Sequence, residues 1–295
     1  MNKKILAHIA LFLVALIYGA NYSIAKIVMD EDSFSSIALL GFRLLSGVAF
    51  FSILYFVFIR EKIDLKDTWL IVLCGLSGTG LNMGLFLYGL DHTTAINASL
   101  VMTIVPILVL IFSLIILKSS INKYNILGIL IAFIGAIYLI YRPDFGFSID
   151  KIKGDLSIFL NGSFYALYLV LVKKLIHKYH PITLLMLFFA VGFIAIFPFT
   201  LSSISSIEWS VLDNNVYLAF AFVLIFTTCF TYLLNVFALQ YVPSTIAGVY
   251  IYLQPLIAAI FAIFIRNEEI SIKVVGSSAL IFAGLYLVSI KKKVL

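Results

Sequence analysis

Among the amides that stand inside long apolar runs of this chain are Asn21, Asn82, Asn235 and Gln254. An amide is hard to hide in an apolar medium without a partner, so each needs a hydrogen bond or a polar cavity. Helical phase groups them with other polar and aromatic side chains. Tyr18, Asn21, Tyr22 and Ala25 fall at i, i+3, i+4 and i+7, which is one face. Asn161, Tyr165 and Tyr168 form a second face, Thr228, Thr231 and Asn235 a third, and Ala247, Tyr250 and Gln254 a fourth. Ser99, Thr103 and Pro106 align in the same way, and Asn82 follows Ser77 in a stretch that holds Gly75, Gly78, Gly80 and Gly84. The chemistry on offer is neutral hydrogen bonding between aromatic walls. For the serines and threonines, bonding within and between helices is the competing reading.

Charge is scarce at depth. All 14 Asp and Glu lie at the ends of the apolar runs or between them, and so do His8, His92, His177 and His180. Proton coupling through a buried carboxylate is therefore disfavoured, as is a site for polycationic drugs. Arg43 and Lys26 are the intramembrane cations. Lys26 is expected to snorkel to the interface. Arg43 lies deeper and is expected to pair at the outer rim with Asp30, Glu31 or Asp32, or else to attract an anionic group. Pro106 and Pro255 stand well inside their runs, where each bends a helix as a static kink or as a hinge.

No enzyme chemistry is legible. A membrane enzyme needs a nucleophile–base pair or metal ligands at reachable depth, and no mid-run His, Asp or Glu supplies them. Cys74 and Cys229 have no metal spacing and read as small packing residues. No metal site or cofactor is expected. An ATP-driven pump would need a Gly-Lys-Ser/Thr phosphate loop, which is absent. A channel or membrane sensor remains as an alternative, but charged rings and a soluble sensing domain are both missing.

The elements that carry these residues follow from composition. Of 295 residues, 63% are hydrophobic and 12% charged, about half the charge of a soluble domain, and mean hydropathy is +1.15. The bilayer is the solvent. The apolar runs are too long for barrel strands and do not alternate, so the chain is an all-α integral membrane protein. Ten spans are expected, at 5–28, 35–59, 68–90, 95–117, 122–142, 154–176, 181–201, 214–239, 244–266 and 271–290. Lys3 and Lys4 ahead of the first run resemble a signal peptide, but the run is too long for a signal core.

Lysine and arginine set the orientation. With the N-terminus cytoplasmic, 13 of the 20 fall in cytoplasmic segments and 5 opposite, while Lys26 and Arg43 lie within spans. Both termini are then cytoplasmic in a multi-pass protein of the cytoplasmic (inner) membrane. The net charge of +6 is this bias and implies no nucleic-acid partner. The expected partners are the lipid bilayer and a small-molecule substrate, with the protein a monomer or homodimer.

The chain also repeats itself. Ala98 to Pro106 matches Ala247 to Pro255 at an offset of 149, and after a one-residue slip Gly128 matches Gly276 and Tyr138-Leu139 matches Tyr286-Leu287. At an offset of 147, Tyr18 meets Tyr165 and Lys26 meets Lys173. Two halves follow, 1–145 and 152–295, each of five helices. Five is odd, so the second repeat is inverted in the membrane, the arrangement of secondary transporters.

Several stretches resemble a known family: Ile17-Tyr18-Gly19-Ala20-Asn21-Tyr22, Arg43-Leu44-Leu45-Ser46-Gly47, Ala95 to Pro106, Ala247 to Pro255, Glu268-Glu269-Ile270-Ser271 and Gly276. Their order and spacing resemble the EamA-type ten-span transporters of the drug/metabolite transporter superfamily over nearly the whole chain. Tyr18 stands where that family often has Trp, and Lys118-Ser119-Ser120 where it often has Glu. The resemblance implies that spans one, three, four, six, eight and nine surround a central cavity. It also implies a small metabolite as cargo, an amino acid or related compound, with export the commoner direction. On both grounds the substrate cavity is assigned to Tyr18, Asn21, Asn82, Thr103, Tyr165, Tyr168, Thr231, Asn235, Tyr250 and Gln254.

Overall fold

The computed structural model describes residues 2–30, 34–93, 95–119, 122–140, 149–257 and 272–289. Among these the protein is all helical. In chain order the helices are α1 (Lys3–Met29), α2 (Ser36–Ile59), α3 (Leu65–His92), α4 (Ala95–Met102), α5 (Val105–Leu117), α6 (Lys123–Ile140), α7 (Ile149–Leu171), α8 (Pro181–Ser205), α9 (Asn214–Tyr241), α10 (Ser244–Ile257) and α11 (Ile272–Ser289). Six of them, α1, α2, α3, α7, α8 and α9, are long and apolar enough to cross a membrane; α5, α6, α10 and α11 contribute shorter apolar helices.

Local chemistry explains the ends. The Asn2 and Ser35 side chains accept from the N–H groups of Lys4 and Ala38, which caps α1 and α2. Pro181 opens α8, where its missing N–H costs nothing. Beyond α7, Lys173 Nζ donates to the carbonyls of Leu239 and Val242 and so caps the end of α9. Its repeat partner Lys26 is half-buried.

The expected span 95–117 is interrupted. The helix stops at Met102, passes Thr103-Ile104 as a turn, and resumes at Val105 with Pro106 in its first turn. Proline cannot donate to the preceding turn, and its ring crowds the carbonyl four residues back. In α10 a 3₁₀ turn, Tyr250–Tyr252, likewise sits just ahead of Pro255. Residues 258–271, with the Glu268-Glu269 turn, lie outside the described residues.

Two wide turns also repeat. α3 carries a π-helical turn at Leu76–Gly80, and α9 carries one that starts at Val223. The first residues differ by 147, the offset that relates Tyr18 to Tyr165. Hydroxyls take up the loosened carbonyls: Thr79 Oγ1 donates to Gly75 O (2.7 Å), Thr228 Oγ1 to Val223 O (3.0 Å) and Thr231 Oγ1 to Phe226 O (2.6 Å). Such turns re-aim side chains and are frequent at functional sites.

Helices of the first half pack along helices of the second. α1 lies along α9, α2 along α8, α3 along α7, and α6 along α11. Glycine sets the closest approach. A Cβ on Gly128 would stand 2.7 Å from the Gly284 carbonyl oxygen, and one on Gly284 2.4 Å from that of Gly128. Small residues bring backbones together where lipid gives no hydrophobic drive. At one end of the bundle a polar cluster joins the halves. Lys178 Nζ binds Asp67 and, at 3.4 Å, Asp64; Tyr179 donates to Asp67 (2.6 Å). Hydrogen bonding to Asp67 raises the Lys178 ammonium above the ordinary lysine range.

Candidate functional site

A cavity with about 470 Å³ of open space, its mouth included, lies between α1, α2, α3, α4, α7, α9 and α10. Of the six long helices, all but α8 contribute. Tyr18, Asn21 and Tyr22 come from α1 and Arg43 from α2. Asn82, Met83 and Phe86 come from α3, Asn161 and Tyr165 from α7, Tyr232 from α9 and Gln254 from α10. Met102, at the end of α4, completes the wall.

Two polar systems line this space. In one, successive threonines of the α9 π turn hold side chains from α1 and α2. Thr227 Oγ1 donates to Asn21 Oδ1 at 3.0 Å, and Arg43 Nε donates to Thr228 Oγ1 at 3.0 Å. The Thr228 hydroxyl passes its own proton to Val223 O. In the second, Asn82 Nδ2 donates to the Asn161 carbonyl (3.1 Å) and Asn161 Nδ2 to the Asn82 carbonyl (2.8 Å). Tyr22 donates to Gln254 Oε1 (3.2 Å), and Tyr232 to Gly78 O (2.6 Å) across the α3 π turn.

A second, smaller space shares Tyr165 and Gln254 with the first and runs toward the start of α1, past Val14 and Leu11. Asn235 and Tyr250 line it. Asn235 Nδ2 donates to the Tyr165 hydroxyl, and His8 Nδ1 pairs with the Tyr250 hydroxyl at 2.8 Å.

The sequence profile described as the EamA-like transporter family matches residues 5–141 and again residues 152–290. The chain belongs to the EamA-like transporter family. An uncharacterized transporter of Archaeoglobus fulgidus is 29% identical over 296 residues, 99% of each chain. The uncharacterized transporter YyaM of Bacillus subtilis is 27% identical, over 96% of this chain and 93% of its own. A WAT1-related protein of Arabidopsis thaliana is 23% identical, over 97% and 85%. One solved crystal structure superposes with a TM-score of 0.75 at 16% identity, over 96% of each chain, which is a likeness of fold. The family is one of membrane transporters, not enzymes.

Of the residues singled out from sequence, this EamA-like transporter brings Tyr18, Asn21, Asn82, Tyr165, Gln254 and Arg43 to one cavity, and Asn235 and Tyr250 to its extension. Others stand elsewhere. Tyr168 is 1% exposed and packs edge-on against Phe188, with its ring over Gly78. Thr231 bonds back into its own helix, and Thr103 is buried off the cavity wall. The helical arc that holds Tyr165 and Tyr168 is wider than the cavity, so one ring faces the space and the other faces protein. Lys26 is half-buried away from the cavity. Pro106 is buried against Gly248 of α10, and Pro255 is buried one residue past Gln254.

Arg43 is only 3% exposed, and its partner is a hydroxyl, not the expected carboxylate. Asp30 is exposed and makes no ion pair with it; Glu31 and Asp32 lie outside the described residues. Tyr232, Met83, Phe86 and Met102 were not foreseen. Tyr232 carries a signal, since it stands four residues after Thr228. Apolar wall residues carry none in a chain that is apolar throughout.

Proposed function

We propose that this protein moves a small metabolite, an amino acid or a related compound, across the cytoplasmic membrane by alternating access, in the direction of export. Ten crossings in two inverted repeats, residues 1–145 and 152–295, place both termini in the cytoplasm, and the unit works as a monomer or homodimer. The observation that carries the reading is the polar cavity at mid-helix depth, built by helices of both halves and extended toward the start of α1. A site between repeats, at the midplane, is what a rocking carrier needs. The matched π turns and the paired prolines support a duplicated mechanical design. The family membership and the relatives called transporters support the class.

Counterflow in proteoliposomes tests it. Purified protein should give saturable uptake of a labelled metabolite that is accelerated by the same compound preloaded inside. Ohmic current, or turnover of a compound without flux, would remove the carrier reading.

A further inference from the structure

We propose that the cargo is a small organic carboxylate, held by Arg43 and Asn21 on the threonine-anchored wall of the cavity; this rests on the transporter reading above. Among the described residues, Arg43 is the one cation on the cavity wall, and no carboxylate stands on that wall. Its guanidinium has five N–H donors in a planar fork. Nε is spent on Thr228, and among the described residues nothing accepts from the two terminal nitrogens. A buried charge without a counter-ion is costly, and a hydroxyl neutralises none of it.

The donors around it agree. Thr227 holds Asn21 and Thr228 holds Arg43, and both of the held side chains line the cavity. Thr227 occupies the Asn21 oxygen, which leaves the Asn21 NH2 without a partner among the described residues. In the same way Tyr22 occupies the Gln254 oxygen and leaves its NH2 unspent. Unspent amide N–H groups and one positive charge therefore stand on this wall, while each amide oxygen already accepts one bond. A carboxylate accepts a bidentate pair from guanidinium and has lone pairs left for an amide. The Asn82–Asn161 pair is arranged the other way: each amide donates to the other's backbone, and the Asn161 side-chain oxygen is buried without a partner among the described residues. That pair offers no positive charge, and Phe86, Met83 and Met102 supply apolar wall for the body of a cargo.

The test uses the full-length protein in detergent and matched pairs of acid and amide. The pairs are benzoate and benzamide, phenylacetate and phenylacetamide, L-phenylalanine and L-phenylalaninamide, and L-leucine and L-leucinamide. Ligand-induced shifts of the unfolding midpoint give the affinities, since a bound ligand stabilises by mass action. At least one acid should bind, at least about tenfold more tightly than its amide, the scale of one charge-assisted contact. R43Q should bring that acid down to its amide, and R43K, which keeps the charge but loses the fork, should fall between. If R43Q does not fold, R43K carries the comparison, and a loss of less than about twofold counts against the proposal, since lysine cannot replace a bidentate fork. An amide that binds as well as its acid, an R43Q protein that keeps the preference, or no binding by any acid would overturn it. Counterflow of the bound acid separates this inference from the function it rests on. Binding without counterflow leaves the carboxylate site and removes the carrier. Counterflow of a neutral solute, unchanged in R43Q, does the reverse.

Discussion

Asn82 and Asn161 each donate a side-chain amide hydrogen bond to the other's backbone carbonyl, at 3.1 and 2.8 Å, and so clasp α3 to α7 at the wall of the cavity. At the 147-residue offset the corresponding positions are Cys229 and Val14, which cannot form such a clasp. The two halves are therefore joined differently at the two places that the repeat makes equivalent. A clasp that must open for the halves to rock would sit in this kind of position.

Asn82→Ala and Asn161→Ala should each destabilise the protein by about 0.5–1.5 kcal/mol, the net worth of a hydrogen bond. The double variant should lose less than the sum, because each substitution removes one bond and loosens the helix pair that positions the other. Unfolding in a mixed-micelle denaturant series measures this. Strict additivity would mean that the two bonds act independently.

Asn21→Ala and Gln254→Leu should lower transport by about three- to tenfold while expression stays normal, as expected for one uncharged hydrogen bond each. Asn21 anchors α1 to Thr227, and Gln254 joins α10 to Tyr22. Initial counterflow rates, normalised to protein in the vesicle, give the comparison. Wild-type rates from both variants would make these amides packing residues.

Pro106 and Pro255 follow a tightened turn in each half, and both are buried. If they serve as hinges, Pro106→Ala and Pro255→Ala restore a backbone bond and slow counterflow by about tenfold, or ~1.4 kcal/mol in the barrier. Ligand affinity should stay unchanged, which separates a hinge from a wall residue. Unaltered rates with a shifted unfolding midpoint would indicate static kinks.

Gly128→Val should be among the most damaging single changes outside the cavity. Its Cβ would meet the Gly284 backbone, which cannot rotate away as a side chain can. Overpacking costs about 1–3 kcal/mol, and the upper end applies where the obstacle is backbone. Size-exclusion chromatography and the thermal midpoint report it. Gly276→Ala is the control, since its added Cβ meets only the Tyr138 ring at 3.6 Å.

Much of the fold was legible because its causes are local. Long apolar runs name the solvent, and helical phase places Tyr18 with Asn21 and Tyr165 with Asn161. The break at Thr103-Ile104 was harder to place, since proline announces a disturbance without saying how many residues absorb it. The π turns have no sequence signature here beyond a scatter of Gly and Thr. The cavity was legible in part: the amides announce themselves because apolar surroundings cannot hold them unpaired.

What the sequence determined by itself is therefore the class of solvent, the helices and the polar faces, which follow from composition and from periods of a few residues, and the duplication, which follows from matches at a near-constant offset. Only the tertiary structure decided which members of a face meet the cavity, and what they bond to. Arg43 finds Thr228 across 185 residues of chain, and Asn21 finds Thr227 across 206. No periodicity reaches that far. Packing of α2 and α1 against the π turn of α9 makes those pairs, and the cation that results is left facing the cavity.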